Sequence, residues 1–414
     1  MRNRFPALQY RDFRIFITTQ LFSLVGSWMQ VTILPFLAYR LTNQPIYLGA
    51  IGFASTIPSL LVMLPAGVVI ERMDKRRAVL VLQFLLMIQA AILGILTIMG
   101  DITIWHMLVL VSILGFVNAF EVTARQSMFV ELVSKETLAN AIGINSTIFN
   151  MARVVGPAVS APLVIFLKGN DIGWVFIINA ISYLIVIAGL AKIQNRQPQK
   201  SPHPSRIDFS ELIEGQKYVW TSPSISLLII AIAVPAFFGF SFTQFVPAYA
   251  EEILLPLSKT SADSAALNSY MITFQGIGAL IAAIAIALFS TTQRKTSWLI
   301  VGQFAFSLGL ILISLSRSIS VSLGSALVLG WGWVTQLSLT NTIVQLNSPD
   351  ELRGRVISSY LWVLQSIAPF GSLFMGFLAE RFGISATLMI CGICCTLGFA
   401  IFHISNPKLR QMRI

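Results

Sequence analysis

The chain has 414 residues, of which 56% are hydrophobic and only 11% charged, with a mean hydropathy of +0.79. Soluble domains carry about 25% charged residues, which excludes water as the main solvent of this fold. The net charge of +11 would suit a nucleic-acid binder, but the basic residues sit in short segments between long apolar runs, so no nucleic-acid partner is expected.

In chain order, residues 1–14 are basic and lead directly into an apolar run of full spanning length. A cleavable signal has a shorter apolar core and a small-residue cleavage site, so the first helix is expected to be retained. Twelve transmembrane helices are predicted, the first six at about 15–39, 47–70, 78–99, 104–124, 139–167 and 173–191. A polar stretch follows, then six more at about 225–249, 265–289, 297–316, 320–343, 356–379 and 385–404. The runs are continuous rather than alternating, which rules out a membrane barrel. Bases cluster on one side, as in Arg2–Arg14, Arg72–Arg77 and Lys192–Lys217, while the other side holds single residues such as Arg40, Lys168 and Arg317. By the positive-inside rule, both termini are expected in the cytoplasm.

Residues 192–224 interrupt the pattern with Pro198, Pro202 and Pro204, and within them Ile207–Trp220 reads as a short amphipathic helix. The predicted fold is an all-α membrane protein with two pseudo-symmetric six-helix bundles, 1–191 and 225–414, joined by a cytoplasmic linker at 192–224. The halves repeat each other. At an offset of 214 residues, Ser27 and Gln30 match Ser241 and Gln244, and Val130, Leu132, Ser134, Glu136 and Leu138 match Val344, Leu346, Ser348, Asp350 and Leu352. Leu114-Gly115 corresponds to Leu329-Gly330, shifted by one. Parallel six-helix repeats build one large transporter fold, with the substrate site at the interface of the halves.

Between the second and third spans lie Gly67, Glu71, Arg72, Asp74, Lys75, Arg76 and Arg77. Gly67 would permit close helix approach, Glu71 could face a helix N-terminus, and the bases could bridge to acids on adjacent helices. This string resembles the loop signature of the major facilitator superfamily, with Glu71 in place of the usual Asp and Asp74 where a second glycine is common. In the fifth span, Gly143, Ala152, Gly156-Pro157 and Ser160-Ala161 resemble an exporter motif of that superfamily, and ordinary small-residue packing around a bend at Pro157 is an equal reading. Gly26–Gln30, Ala124–Ser127 and Asp350–Arg355 resemble a bacterial exporter branch that contains the enterobactin exporter and, more distantly, macrolide efflux proteins. The resemblance implies secondary transport by a monomer among membrane lipids, commonly driven by protons.

Charges within a span are functional candidates because they are costly there. Glu121 and Arg153 are the two that the predicted spans enclose. Three readings of Glu121 stand open: an i,i+4 pair with Arg125, a bridge to Lys75 or Arg76 that holds the cytoplasmic gate shut, or a proton carrier. Arg153 is expected to face the fourth helix. By analogy with the superfamily, the pathway helices are the first, fourth, seventh and tenth, which offer Gln30, Asn118, Phe238, Gln244, Trp331 and Gln336 as cavity candidates. The matched pair Gln30 and Gln244 leads this set, with an interhelical hydrogen bond as its other reading.

No enzymatic constellation is legible. His106, His203 and His403 show no metal-ligand spacing, Cys391, Cys394 and Cys395 read as small apolar packing on one helical face, and no phosphate loop is present. No cofactor or metal is expected. The function that follows is proton-coupled export of a small amphipathic or aromatic compound, siderophore- or drug-like, across the bacterial inner membrane by alternating access. A lysolipid or lipid flippase is the alternative.

Overall fold

The computed structural model describes residues 5–167, 169–193, 217, 219–258, 264–288, 295–349 and 352–405. Most of the linker, including nearly all of the predicted amphipathic helix at Ile207–Trp220, lies outside the described residues.

The first six long helices are α1 (Arg11–Thr42), α2 (Pro45–Arg72), α3 (Lys75–Met99), α4 (Ile104–Glu131), α5 (Leu138–Phe166) and α6 (Trp174–Ala191). Local chemistry sets their ends. Asn43 takes a left-handed φ of 51° and Pro45 starts α2, so the chain turns within two residues. Asp74 Oδ1 accepts from the Arg77 N–H at 2.8 Å to cap α3, and Gly100 closes that helix in the left-handed region, φ 82°. Thr103 caps α4 through the His106 N–H.

The second set is α7 (Pro223–Phe238), α8 (Phe242–Tyr249), α9 (Ser264–Leu288), α10 (Lys295–Leu315), α11 (Ile319–Leu346), α12 (Arg353–Phe382) and α13 (Ile384–Ser405). The seventh span, predicted at about 225–249, lies in an apolar run, Ile225–Leu257, whose helix breaks at Gly239–Ser241 and continues beyond the predicted end through a π segment at Ala250–Leu254. Pro235 and Pro247 remove backbone donors on either side of the break.

Eleven helices among the described residues are long and apolar enough to cross a membrane. The remaining predicted span, within α11, has the length but is more polar; Ser322, Ser325, Thr335, Gln336 and Thr340 along it are buried. Phe22, Leu61, Phe166, Leu288 and Ile401 are each more than half exposed, a pattern that a lipid-facing surface tolerates and a water-facing one does not. The molecule is an all-α, multi-pass membrane protein.

Packing divides the chain into two compact units, Met1–Leu34 with Ala54–Ile207, and Pro35–Phe53 with Asp208–Ile414. A core of Phe13, Phe16, Ile70, Val79, Met128 and Val186 anchors the first, and Ile225, Ile232, Leu299, Ile343 and Tyr360 anchor the second. The second unit includes the turn between α1 and α2. There Tyr39 donates to Glu252 Oε1 at 2.6 Å, and the Ile46 N–H donates to Glu380 Oε2 at 3.3 Å.

The sequence repeat has a packing counterpart inside each unit. A Cβ at Gly115 of α4 would collide with the Ser55 carbonyl of α2, and one at Gly330 of α11 would collide with the Gln275 carbonyl of α9. With no hydrophobic drive between helices in lipid, such backbone approach is what association relies on. Gly330→Ala is therefore expected to lower the thermal midpoint of the detergent-purified protein by roughly 3–6 °C, from an overpacking cost of about 1–3 kcal/mol. Gly324→Ala, which meets nothing within 4 Å on the same helix, should leave the midpoint unchanged or slightly raised.

Candidate functional site

The first unit encloses a cavity of about 230 Å³. Helix α1 contributes Gln20, Ser23, Ser27 and Trp28, and α4 contributes Asn118, Glu121 and Arg125. Gln83 of α3, Phe149 of α5 and Tyr183 of α6 complete its polar and aromatic wall.

The charged centre of this wall is Glu121. It is 5% exposed, and Arg125, 6% exposed, donates from Nε to its two carboxylate oxygens at 3.0 and 3.3 Å. Gln83 Nε2 is a second donor, at 3.0 Å from Glu121 Oε1. One helical turn separates the two charges, so α4 alone sets the pair's geometry, while α3 supplies the amide. In a low-dielectric wall such a pair is costly to break from one side, because the remaining charge loses its partner. Beside it, Ser27 and Tyr183 share a hydrogen bond of 3.1 Å between α1 and α6.

Of the two ion-pair readings of Glu121, the pair with Arg125 is the one found. The bridge to the loop bases is not. Arg76 instead donates to the Leu190 and Ala191 carbonyls at 2.7 and 3.1 Å, and Lys75 donates to the Glu71 carbonyl at 3.1 Å. Arg76 thus caps the C-terminal end of α6, where a cation meets both orphan carbonyls and the negative pole of the helix. Asp74 caps α3, and Glu71 and Arg72 are exposed at the end of α2. Gly67 does not mediate a close approach, since a Cβ there would meet nothing within 4 Å.

In α5 the small residues behave differently from one another. Gly156 is tight against α1, with Trp28 Cβ 2.5 Å from its virtual Cβ, and Pro157 is buried in the helix beside it. Gly143 has open space. Arg153 faces α1 rather than α4: its guanidinium lies 5.6 Å from the centroid of the Trp28 ring.

The repeated glutamines lie apart from the cavity wall. Gln30 is 2% exposed, donates to Gln89 Oε1 at 3.2 Å and accepts from Asn179 Nδ2 at 2.8 Å, which ties α1 to α3 and α6. Gln244 is half-buried in the second unit near Gly52. Also in that unit, Phe238 stacks edge-on with Phe237 and Phe374, Trp331 lies 6.5 Å from Trp298, and Gln336 is fully buried. Of the six cavity candidates, Asn118 alone lines the first unit's cavity. Gln20, Gln83 and Tyr183 were not singled out from the sequence, although a glutamine within an apolar run, as at Gln83, is the signal that points to a partner inside the bundle.

A multi-pass helical protein whose polar groups converge on a cavity has the architecture of a solute transporter, and its fold is that of the major facilitator superfamily. A bacterial homolog of the human lysosomal transporter Spinster, solved inward-facing and unoccupied, matches with a TM-score of 0.75 at 13% identity, covering 100% of this chain and 99% of that one. The chain belongs to the transmembrane secretion effector family, whose model matches residues 3–413. It is 25% identical to the staphyloferrin A transporter of Staphylococcus aureus, over 96% of this chain and 97% of the relative. It is 21% identical to the multidrug efflux pump Tap of Mycolicibacterium fortuitum, over 94% and 93%. These relatives are transporters, and the chain is a transporter rather than an enzyme.

The geometry of the pair predicts its energetics. Glu121→Leu leaves Arg125 buried without a counter-charge and is expected to cost about 3–5 kcal/mol, read as a marked fall in the thermal midpoint. Adding Arg125→Leu should recover most of that loss, so a double-mutant cycle over the two positions would show strong coupling.

Proposed function

We propose that the chain is a proton-coupled exporter of a small amphipathic or aromatic compound, siderophore- or drug-like, in a bacterial cytoplasmic membrane. The observation that carries this reading is the Glu121–Arg125–Gln83 cluster in the wall of an aromatic-lined cavity. A carboxylate there can exchange its bond to Arg125 for a proton, and protonation releases Arg125 from the pair. A charge relay of this kind couples proton movement to what occupies the cavity. The names of the relatives, one a siderophore transporter and one a multidrug efflux pump, support the substrate range. Neither of them points to a lipid, and the flippase alternative is set aside.

The placement of basic residues supports a cytoplasmic position for both termini. In this reading, two repeated halves, 1–191 and 225–414, alternate access to the substrate path, and the linker at 192–224 joins them. Arg76, Asp74 and Lys75 hold the cytoplasmic ends of α2, α3 and α6 together during that change, and Gly156 with Pro157 fixes α5 against α1.

Inside-out vesicles carrying the protein are expected to accumulate at least one compound from a panel of siderophores, macrolides and dyes, and an uncoupler should abolish that accumulation. Glu121→Gln should lose the dependence on the proton gradient. Accumulation that is indifferent to the uncoupler in the wild type would overturn proton coupling.

A further inference from the structure

Arg125 lies in the cavity wall, and Arg153 lies next to that wall, over the ring of Trp28. Arg125 is neutralised by Glu121, but Arg153 has neither an acid nor a hydrogen-bond acceptor among the described residues. Its contact is the face of Trp28, 5.6 Å from the ring centroid. Phe149, one turn earlier on α5, meets the same indole edge-on at 5.8 Å, and both aromatic side chains line the cavity. Residues four apart share one helical face, so Arg153 projects from the same side of α5 as the cavity-lining Phe149 and reaches the same Trp28 ring. An uncompensated guanidinium in an apolar bundle is costly, and a cation–π contact offsets only part of that cost.

A second observation is independent of charge. Gln20 and Gln83 are 2% and 1% exposed, both line the cavity, and the Oε1 of each lacks a protein donor. Buried acceptors of this kind call for a donor from water or from a ligand.

We propose that this cavity takes an organic anion with a flat aromatic or conjugated body and hydroxyl groups. The anionic group, a carboxylate or phenolate, pairs with Arg153. The body lies against Trp28 and Phe149, and the hydroxyls donate to Gln20 and Gln83. The pairing adds a charge-assisted hydrogen bond where the protein supplies none. The inference rests on the transport reading for the assignment of this cavity to the substrate.

The test is equilibrium binding to the full-length protein in detergent, with 1-hydroxy-2-naphthoate and its neutral amide as paired probes. The acid is expected to bind at least about tenfold more tightly than the amide, the size of a charge-assisted bond. Arg153→Gln should bring the acid down to the level of the amide, and Arg153→Lys should keep most of the preference. Equal binding of acid and amide, no binding of either to folded wild type, or full acid binding by Arg153→Gln would each overturn the proposal. The acid–amide comparison needs no variant, so it holds even where Arg153→Gln does not fold. Vesicle uptake separates the two readings. An acid that binds through Arg153 but is never moved removes the transport assignment alone, whereas uptake of a dye alongside equal binding of acid and amide removes this inference alone.

Discussion

In hydrocarbon a polar group cannot turn to water, so every buried donor, acceptor and charge in this protein must find its partner within the helices. That constraint explains the backbone first: nearly all of the described chain is helix, the form in which each segment satisfies its own peptide groups. It then explains the side chains. Gln30 is held between Gln89 and Asn179, Arg76 closes the end of α6, and Glu121 is placed where Arg125 and Gln83 both reach it. Among the buried polar atoms without a protein partner, the Oε1 atoms of Gln20 and Gln83 line the cavity, and the guanidinium of Arg153 lies on the ring of Trp28, which also lines it.

Close packing supplies the rest of the stability. The glycine contacts at Gly115 and Gly330 bring α4 to α2 and α11 to α9 in the two units, at positions the internal repeat had matched. Their equivalence shows that the repeat records a shared backbone geometry as well as shared composition. Gly156 extends the same device to the cavity, since its contact with Trp28 fixes the indole that both Phe149 and Arg153 touch.

Hydropathy made the helices legible because lipid imposes length and apolarity on each span separately. It was weakest for α11, whose serines, threonines and glutamine are buried among helices and not set against lipid. The break in the seventh span was also hidden, because Gly239–Ser241 interrupts hydrogen bonding without interrupting apolarity. At the site, Glu121 was legible as a charge in a span, but its partner was not, since three bases lay within reach by sequence alone. Arg76 was drawn away by the carbonyls of α6, a contact across 114 residues that no local pattern announces. Gln30 misled for the same reason: a polar residue in a span signals an internal partner, and whether that partner is protein or substrate depends on residues 59 and 149 positions away.

The central claim is that Glu121 joins the contents of the cavity to a proton. The direct measurement is the number of protons exchanged when an organic ligand binds the purified protein in weakly buffered solution, followed with a pH-indicator dye. The account predicts that wild type takes up or releases protons on binding, and that Glu121→Gln binds the same ligand with no such exchange. Equal proton exchange by wild type and Glu121→Gln would contradict it.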